Sequence, residues 1–324
     1  SVTGTGTCCT PAPAVTEYTP SGQIVRQWGG PGDGYVWPQR PHGIAIDPEG
    51  NIWIGGGVAT AGAQRPGAAG PAGPATPIDS HILKFSREGR YLATIGEAGQ
   101  GATANQHSAT SFGGAARFSF DAAANEAYVA DGYANRRVAV LDVKTGELKR
   151  QWGAYGNAPD NSEIPDYALG APAAQQFRTV TCAELSNDGL VYVCDRASDR
   201  IQVFKKDGTF VSEAFVSPAT LALGSVWDIA FSPDKDQRYL YVADGMNERV
   251  TVLDRKSLEV RTTFGIGGRV PGTFLELGSL AVDAKGNIYT AENGGGRRVQ
   301  KFTNTGFGEV TAVNQGAVWP ASAR

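Results

Sequence analysis

The stretch Asp195-Arg-Ala-Ser-Asp-Arg-Ile201 decides the fold of this chain. In it an acidic residue is followed five positions later by Arg, then by a β-branched residue and a short apolar run. The same phrase, with a spacing of five or six, recurs at Asp131–Val138, Asp244–Val250 and Glu292–Val299. The anchors Ile201, Val250 and Val299 stand 49 positions apart. A fixed period of that size indicates a repeat architecture.

Each repeat resolves into two hairpins. An inner hairpin such as Gly43–Ile54 precedes the acidic residue, and an outer hairpin such as Ile201–Val211 follows the Arg. Period-two patterns rich in Val, Ile, Phe and Tyr, separated by Asp-Gly or Pro-x-Gly turns, are typical of short antiparallel strands. Two hairpins make one four-stranded propeller blade. The sequence therefore predicts an all-β fold, a β-propeller.

The two kinds of hairpin occur different numbers of times, so the repeat alone does not determine the number of blades. The outer hairpin occurs six times, from Val15–Gln27 to Val299–Val310. The inner hairpin occurs five times, beginning near Gly43, Ala115, Val180, Val226 and Ser279. A ring closes well when its last blade mixes strands from both chain ends, because closure removes exposed sheet edges. We predict six blades with an atypical closing blade, and five blades is the alternative.

Composition limits the classes of function. The 324 residues suit one propeller domain over 15–310, between an N-terminal tail (1–14) and a C-terminal tail (311–324). The 43 Gly and 18 Pro fit a chain dense in turns. A net charge of −3, with Arg spread over the blades, argues against a nucleic-acid partner. No apolar stretch reaches about 18 residues, so no membrane span is predicted.

The cysteines point to an oxidising compartment. Cys182 and Cys194 flank a Ser-Asn-Asp-Gly turn symmetrically and should face each other across a hairpin, as a disulfide or as two buried thiols. Cys8 and Cys9 are adjacent; they pair with each other, pair with another chain or stay free. The small polar start of the chain is similar to the end left by signal-peptide removal. We expect a secreted protein, extracellular or periplasmic.

Two long connections interrupt the repeat. Residues 55–80 are rich in Gly, Ala and Pro, and Tyr155–Gln175 is rich in Pro and Ala. Such a composition buries too little apolar area to order itself. Loops of this length in a compact domain are usually functional or disordered. They are either contact surfaces for a partner or tolerated surface insertions.

The blade phrase resembles the NHL repeat, and within that group it is similar to the catalytic domain of peptidylglycine α-amidating lyase. The residues that carry the likeness are Pro41–Trp53, Ala130–Arg136 and Val193–Phe204, within a similarity that covers roughly 15–306. Lyases of that family hold a zinc ion on the propeller axis with three His, each opening the inner hairpin of a different blade. The resemblance therefore implies a site in the central channel.

The zinc ligands of that family match this chain only in part. His42 matches the first ligand, whereas the other two positions carry Thr181 and Gly278. The remaining histidines, His81 and His107, fall in other parts of their blades. Because a catalytic zinc needs three protein ligands and an open position, zinc is not expected here. A structural calcium on backbone carbonyls near the axis is compatible with the sequence.

The catalytic residues of the family match better. The resemblance assigns its catalytic Tyr to Tyr133 and one of its Arg residues to Arg196. The alternative for Arg196 is a structural role, in which it pairs with Asp195 or with a neighbouring blade. A second set of Arg residues recurs at one blade position: Arg137, Arg200, Arg249 and Arg298. Because the position is repeated from blade to blade, a structural role is favoured, in which each Arg pairs with the acidic residue of its phrase. No nucleophile elbow, Walker loop, His-Glu-x-x-His or EF-hand loop is present.

Two hypotheses for function follow. The favoured one is a non-catalytic binding or scaffold protein that contacts a protein partner, or further copies of itself, through its rim loops. It rests on the loss of zinc ligands alongside retention of every blade-building residue. The alternative is a lyase-like enzyme acting on a small molecule at the channel mouth. It predicts His42, Tyr133 and Arg196 within the span of one substrate.

Overall fold

The computed structural model describes residues 12–57, 79–99 and 108–306. It confirms an all-β propeller, in which antiparallel sheets surround a central channel. The predictions made for Cys8, Cys9, His107 and most of the 55–80 connection lie outside the described residues.

Within the described residues, five blades follow one another in chain order, each with its strands in sequential antiparallel order. Blade 1 comprises β3 (Pro41–Ile46), β4 (Ile52–Gly56), β5 (His81–Phe85) and β6 (Tyr91–Gly96). Blade 2 comprises β7 (Ala115–Asp121), β8 (Glu126–Asp131), β9 (Arg137–Asp142) and β10 (Leu148–Trp152). Blade 3 comprises β11 (Val180–Leu185), β12 (Leu190–Asp195), β13 (Arg200–Lys205) and β14 (Phe210–Phe215).

The last two blades continue this order. Blade 4 comprises β15 (Val226–Phe231), β16 (Tyr239–Asp244), β17 (Arg249–Asp254) and β18 (Val260–Phe264). Blade 5 has three strands within the described residues: β19 (Leu277–Val282), β20 (Ile288–Glu292) and β21 (Val299–Phe302). Short 3-10 turns occur at Ala154–Gly156 and Arg196–Ser198.

The prediction of six blades is wrong, and the alternative of five is confirmed. The N-terminal hairpin, β1 (Val15–Tyr18) and β2 (Ile24–Trp28), forms a separate two-stranded sheet. It packs on blade 1, where the Trp28 and Phe85 rings lie 5.1 Å apart, and it accepts a hydrogen bond from Lys301 of blade 5. The described residues supply no inner hairpin to pair with it, so this outer hairpin does not become a blade.

Apolar side chains fill the space between neighbouring blades. Trp53 of blade 1 is fully buried against Phe118 of blade 2, at a ring distance of 5.9 Å. Gly132 is required where β8 ends, because a Cβ there would lie 1.8 Å from the carbonyl oxygen of Val180 in blade 3. This close approach of two backbones brings Tyr133, the next residue, to the channel.

Each repeated acidic residue forms an ion pair with its Arg, as the phrase predicts. The nitrogen-to-oxygen distances lie between 2.6 and 3.1 Å in the pairs Asp131–Arg137, Asp195–Arg200, Asp244–Arg249 and Glu292–Arg298. The pairs also bind the chain segment that enters the blade. In blade 3, Asp195 accepts the backbone N–H groups of Arg178 and Thr179, and Arg200 donates to the carbonyl of Gln176. The pair thus satisfies backbone groups that have no strand partner.

The predicted disulfide is confirmed. Cys182 of β11 and Cys194 of β12 are directly opposed in the strand register, with their Cα atoms 4.9 Å apart, and they are bonded. The bond joins the inner hairpin of blade 3. Among the described residues no helix is long and apolar enough to cross a bilayer. Secretion or a periplasmic location stays a prediction, with which the disulfide is consistent.

Removing one partner of a buried pair should be far more costly than removing an exposed one. Arg200→Ala leaves Asp195 charged in a site where both side chains are fully buried, so we expect a loss of about 3–5 kcal/mol in unfolding free energy. Arg261→Ala is the control, because its pair with Asp254 is exposed and should be worth at most about 1 kcal/mol. Urea denaturation of both variants measures the difference; equal losses would contradict a structural role for the repeated pair.

Candidate functional site in the central channel

The channel forms a cavity of about 1100 Å³ to which every blade contributes. The second residue of each inner strand lines it at one level: His42, Ala116, Thr181, Trp227 and Gly278. The next level along the strands includes Arg117, Asp228 and Ser279. The repeat thus places equivalent strand positions around one opening, which we call the channel mouth.

His42 and Tyr133 are joined by a hydrogen bond at the mouth. The Nδ1 atom of His42 lies 3.1 Å from the carbonyl oxygen of Ala116, and its Nε2 atom lies 2.8 Å from the hydroxyl of Tyr133. A carbonyl only accepts, so the proton of the neutral ring belongs on Nδ1. Nε2 is then an acceptor, and Tyr133 donates its hydroxyl proton to it. This arrangement prepares Tyr133 to pass a proton to His42.

The environment keeps His42 neutral. Its ring faces the channel and is accessible from it, yet protein encloses it on the other sides. This burial lowers the pKa of His42 from its usual value of 6.5, and the positive charge of Arg196 lowers it further. The Ala116 carbonyl and the Asp228 carboxylate act in the opposite direction and are outweighed. At neutral pH the ring is therefore a proton acceptor.

Arg196 completes the group predicted from the resemblance. Its guanidinium lies 4.8 Å from the ring centroid of Trp227 and 5.6 Å from that of Tyr133, which are cation–π distances. The residue is only 7% exposed, and its Nε atom is buried without a hydrogen-bond partner. Asp195 binds Arg200 instead, and none of the carboxylates in the described ranges pairs with Arg196. Since a buried charge is costly without a counter-charge, the mouth has the electrostatics of an anion site.

The residues at the mouth do not fit a zinc ion. The three positions of the family's ligands do converge on this cavity, as His42, Thr181 and Gly278. However, both ring nitrogens of His42 are engaged, Thr181 donates its hydroxyl to the carbonyl of Val226, and Gly278 has no side chain. Within the described ranges, no three His, Cys, Asp or Glu residues are grouped to hold a metal. The predicted structural calcium stays a prediction.

The two other histidines lie elsewhere. His81 opens β5, as expected, and is 2% exposed, with its Nε2 atom 2.6 Å from the carbonyl oxygen of Val36. It does not line the channel cavity. His107 lies outside the described residues.

Sequence reasoning missed a charged network deeper in the channel. Arg117 of blade 2 donates to Glu184 of blade 3 at 2.9 Å and pairs with Asp228 of blade 4 at 3.2 Å. It also reaches the carbonyl oxygen of Leu280 in blade 5, at 3.4 Å. One guanidinium rooted in blade 2 therefore bridges three other blades across the channel. The signal that could have revealed this network was the presence of charged residues within the inner strands, because a buried ion needs a partner.

This network sets the protonation of Glu184. Burial raises the pKa of Glu184 to about 7, although Arg117 opposes the rise and Asp228 adds to it. Burial also disfavours the charge of Arg117, but the carboxylates of Asp228 and Glu184 outweigh that effect and raise the pKa of Arg117. Glu184 is thus the group of the network that titrates near neutral pH.

The comparisons with known proteins show the fold. No protein family and no curated protein matches the chain. Among solved structures, streptogramin B lyase has a TM-score of 0.49 at 11% identity, over 87% of this chain and 69% of that one. A candidate 6-phosphogluconolactonase from Bacteroides uniformis has a TM-score of 0.50 at 15% identity, over 86% of this chain and 72% of that one. At 15% identity, the likeness to the second of these structures supports the fold alone, so the NHL and lyase likeness stays a prediction.

Stability should fall as Glu184 ionises. Its folded-state pKa of about 7 lies above the usual 4.5, so the folded protein holds the proton longer and loses stability as pH rises from 4.5 to 7. Glu184→Gln removes this ionisation, and its unfolding free energy relative to wild type should rise by up to about 3 kcal/mol between pH 5 and pH 8. Urea midpoints at several pH values measure the effect. The exposed Glu259→Gln control should follow wild type, and a parallel curve for Glu184→Gln would refute the assignment.

Proposed function

We propose that the channel mouth binds a small carboxylate and catalyses proton transfer on it, which is the lyase-like alternative. The observation that carries this proposal is the buried guanidinium of Arg196, without a carboxylate partner among the described residues, beside the Tyr133–His42 hydrogen bond. An anion-binding group and an acid–base pair within one cavity are the parts that such a reaction needs.

Arg196 would hold the substrate. A guanidinium binds a carboxylate through two parallel hydrogen bonds, which fixes its orientation as well as its position. Trp227 and Tyr133 flank the guanidinium and restrict where a carboxylate can approach it. A hydroxyl on the carbon next to that carboxylate would then lie towards Tyr133. The resemblance to peptidylglycine α-amidating lyase implies the substrate class, a 2-hydroxy acid whose hydroxyl-bearing carbon also carries a nitrogen leaving group.

The Tyr133–His42 pair would move the proton. Tyr133 takes the proton of the substrate hydroxyl as its own proton passes to Nε2 of His42. The hydroxyl oxygen becomes the carbonyl of a 2-oxo acid, the bond from carbon to the leaving nitrogen breaks, and that electron pair stays on nitrogen. The proton returns from His42 through Tyr133 to the leaving nitrogen. Atoms and charges balance without an added reactant.

The favoured hypothesis of the sequence analysis, a scaffold acting through rim loops, stays a prediction. Most of the connection 55–80, which that hypothesis treats as its main contact surface, and the adjacent Cys8 and Cys9 lie outside the described residues. A protein partner and self-assembly remain untested for the same reason. Binding at the channel without turnover is a third outcome, which the experiment below separates from catalysis.

N-Benzoyl-2-hydroxyglycine is a suitable probe because it carries the carboxylate, the hydroxyl and an amide leaving group. We expect the wild-type protein to release benzamide and glyoxylate from it. Tyr133→Phe keeps the aromatic ring beside Arg196 but loses the proton path, so kcat should fall by about 10²–10⁴ with little change in KM. Arg196→Met should chiefly raise KM. Chromatography of benzamide measures both.

The control is Arg261→Met, a surface change that should leave both constants unaltered. Calorimetric binding of the probe to wild type without any product would favour a binding protein over an enzyme. Neither binding nor turnover, in protein whose unfolding is cooperative, would exclude the proposed function.

A further inference from the structure

A second cavity lies outside the channel, on the rim of blade 3. It has a volume of about 250 Å³ and is enclosed between residues 167–174 and the end of β14. The covering segment belongs to the long connection after blade 2. It is attached to blade 3 by the hydroxyl of Tyr167, which donates to the carbonyl oxygen of Pro218 at 2.7 Å. The covering segment and blade 3 therefore form the two walls of the cavity.

Two guanidinium groups line this cavity, and only one of them is neutralised. Arg200 pairs with Asp195 and Glu213 and donates to Tyr155 as well. Arg178 has a buried Nε atom with no hydrogen-bond partner, and across the described ranges no carboxylate lies within ion-pair distance of it. Burial lowers the pKa of Arg178, although the negative charges of Asp195 and Asp166 act in the opposite direction.

A hydroxyl in the same cavity also lacks a partner. Ser198 ends the 3-10 turn of blade 3 and is 3% exposed, and its Oγ atom is buried without a hydrogen bond. Buried hydroxyls normally find a partner, so each exception calls for an explanation. A ligand carboxylate in the cavity would give Arg178 a counter-charge and would bring a hydrogen-bond acceptor next to Ser198.

The remaining walls are apolar and small. Leu169, Phe215 and Pro218 line the cavity, together with several alanines of the covering segment. At about 30 Å³ per water in the liquid, the cavity holds roughly eight waters, which is the size of a compact organic acid. Apolar walls with few polar groups are the usual pattern of a small-molecule site.

We propose that this cavity binds a small monocarboxylate with an apolar group, its carboxylate on Arg178 and Ser198 and its apolar part against Phe215 and Pro218. Arg178 is placed for this because its backbone N–H is fixed on Asp195. The site is separate from the channel, since the two cavities share none of their lining residues. It does not depend on the function proposed above.

The test is titration of the full chain with 4-fluorobenzoate, followed by ¹⁹F NMR. We expect saturable binding with a Kd of about 1 mM or lower, as suits a ligand of this size. Arg178→Met should weaken binding about 10- to 100-fold, because a charged hydrogen bond is lost. Ser198→Ala should weaken it less while leaving the free protein as stable or more stable, since an unpaired buried hydroxyl is removed.

Two further variants make the outcome decisive. Ala174→Phe fills the cavity without altering its polar groups and should abolish binding. Arg196→Met removes the guanidinium that lines the channel mouth, not the second cavity, and should leave the affinity of the second cavity intact. Loss of binding in Arg196→Met with retention in Arg178→Met would place the probe in the channel and overturn the proposal. An affinity that is insensitive to all four changes would also overturn the proposal. The absence of binding at 20-fold the expected Kd of about 1 mM would overturn it too.

Discussion

The buried pair of an acidic residue and Arg is the interaction on which the rest of the propeller depends. It lies where the inner hairpin ends and the outer hairpin begins, and its spare hydrogen-bonding groups hold the segment that enters the same blade. That segment leads directly into the inner strand, whose second residue lines the channel mouth. Blade 1 lacks the Arg, and there Asp79 accepts the entering N–H groups of Gln39 and Arg40. The acidic residue is therefore the part of this interaction that all five blades share. In blades 2 to 5 the Arg stabilises its charge.

Much of the fold could be predicted because the repeat is local. The period-two strands, the starts of all five inner hairpins and the Cys182–Cys194 pairing follow from spacing within one blade. The number of blades did not follow, since it depends on how the chain ends meet. An outer hairpin such as β1–β2 has the same local pattern whether or not inner strands join it. Local periodicity cannot report that long-range choice.

The structure brings together three residues that the family resemblance named, whereas the pairing between blades was missed. His42, Tyr133 and Arg196 come together because each follows a blade position fixed by the repeat. Trp227 and the Arg117 network were not found, since the partners of Arg117 lie 67 and more residues away in sequence. Pairing at that distance has no periodic signature. Charged residues within inner strands were its only trace in the sequence.

Arg117 also links the blades across the channel. It follows Ala116 on the inner strand and lies one residue deeper than the mouth, with its guanidinium spanning to blades 3, 4 and 5. One side chain thus joins blades 2, 3, 4 and 5 from inside the channel. This link adds to the contacts that neighbouring sheets make with one another, and it connects blades whose residues are far apart in sequence.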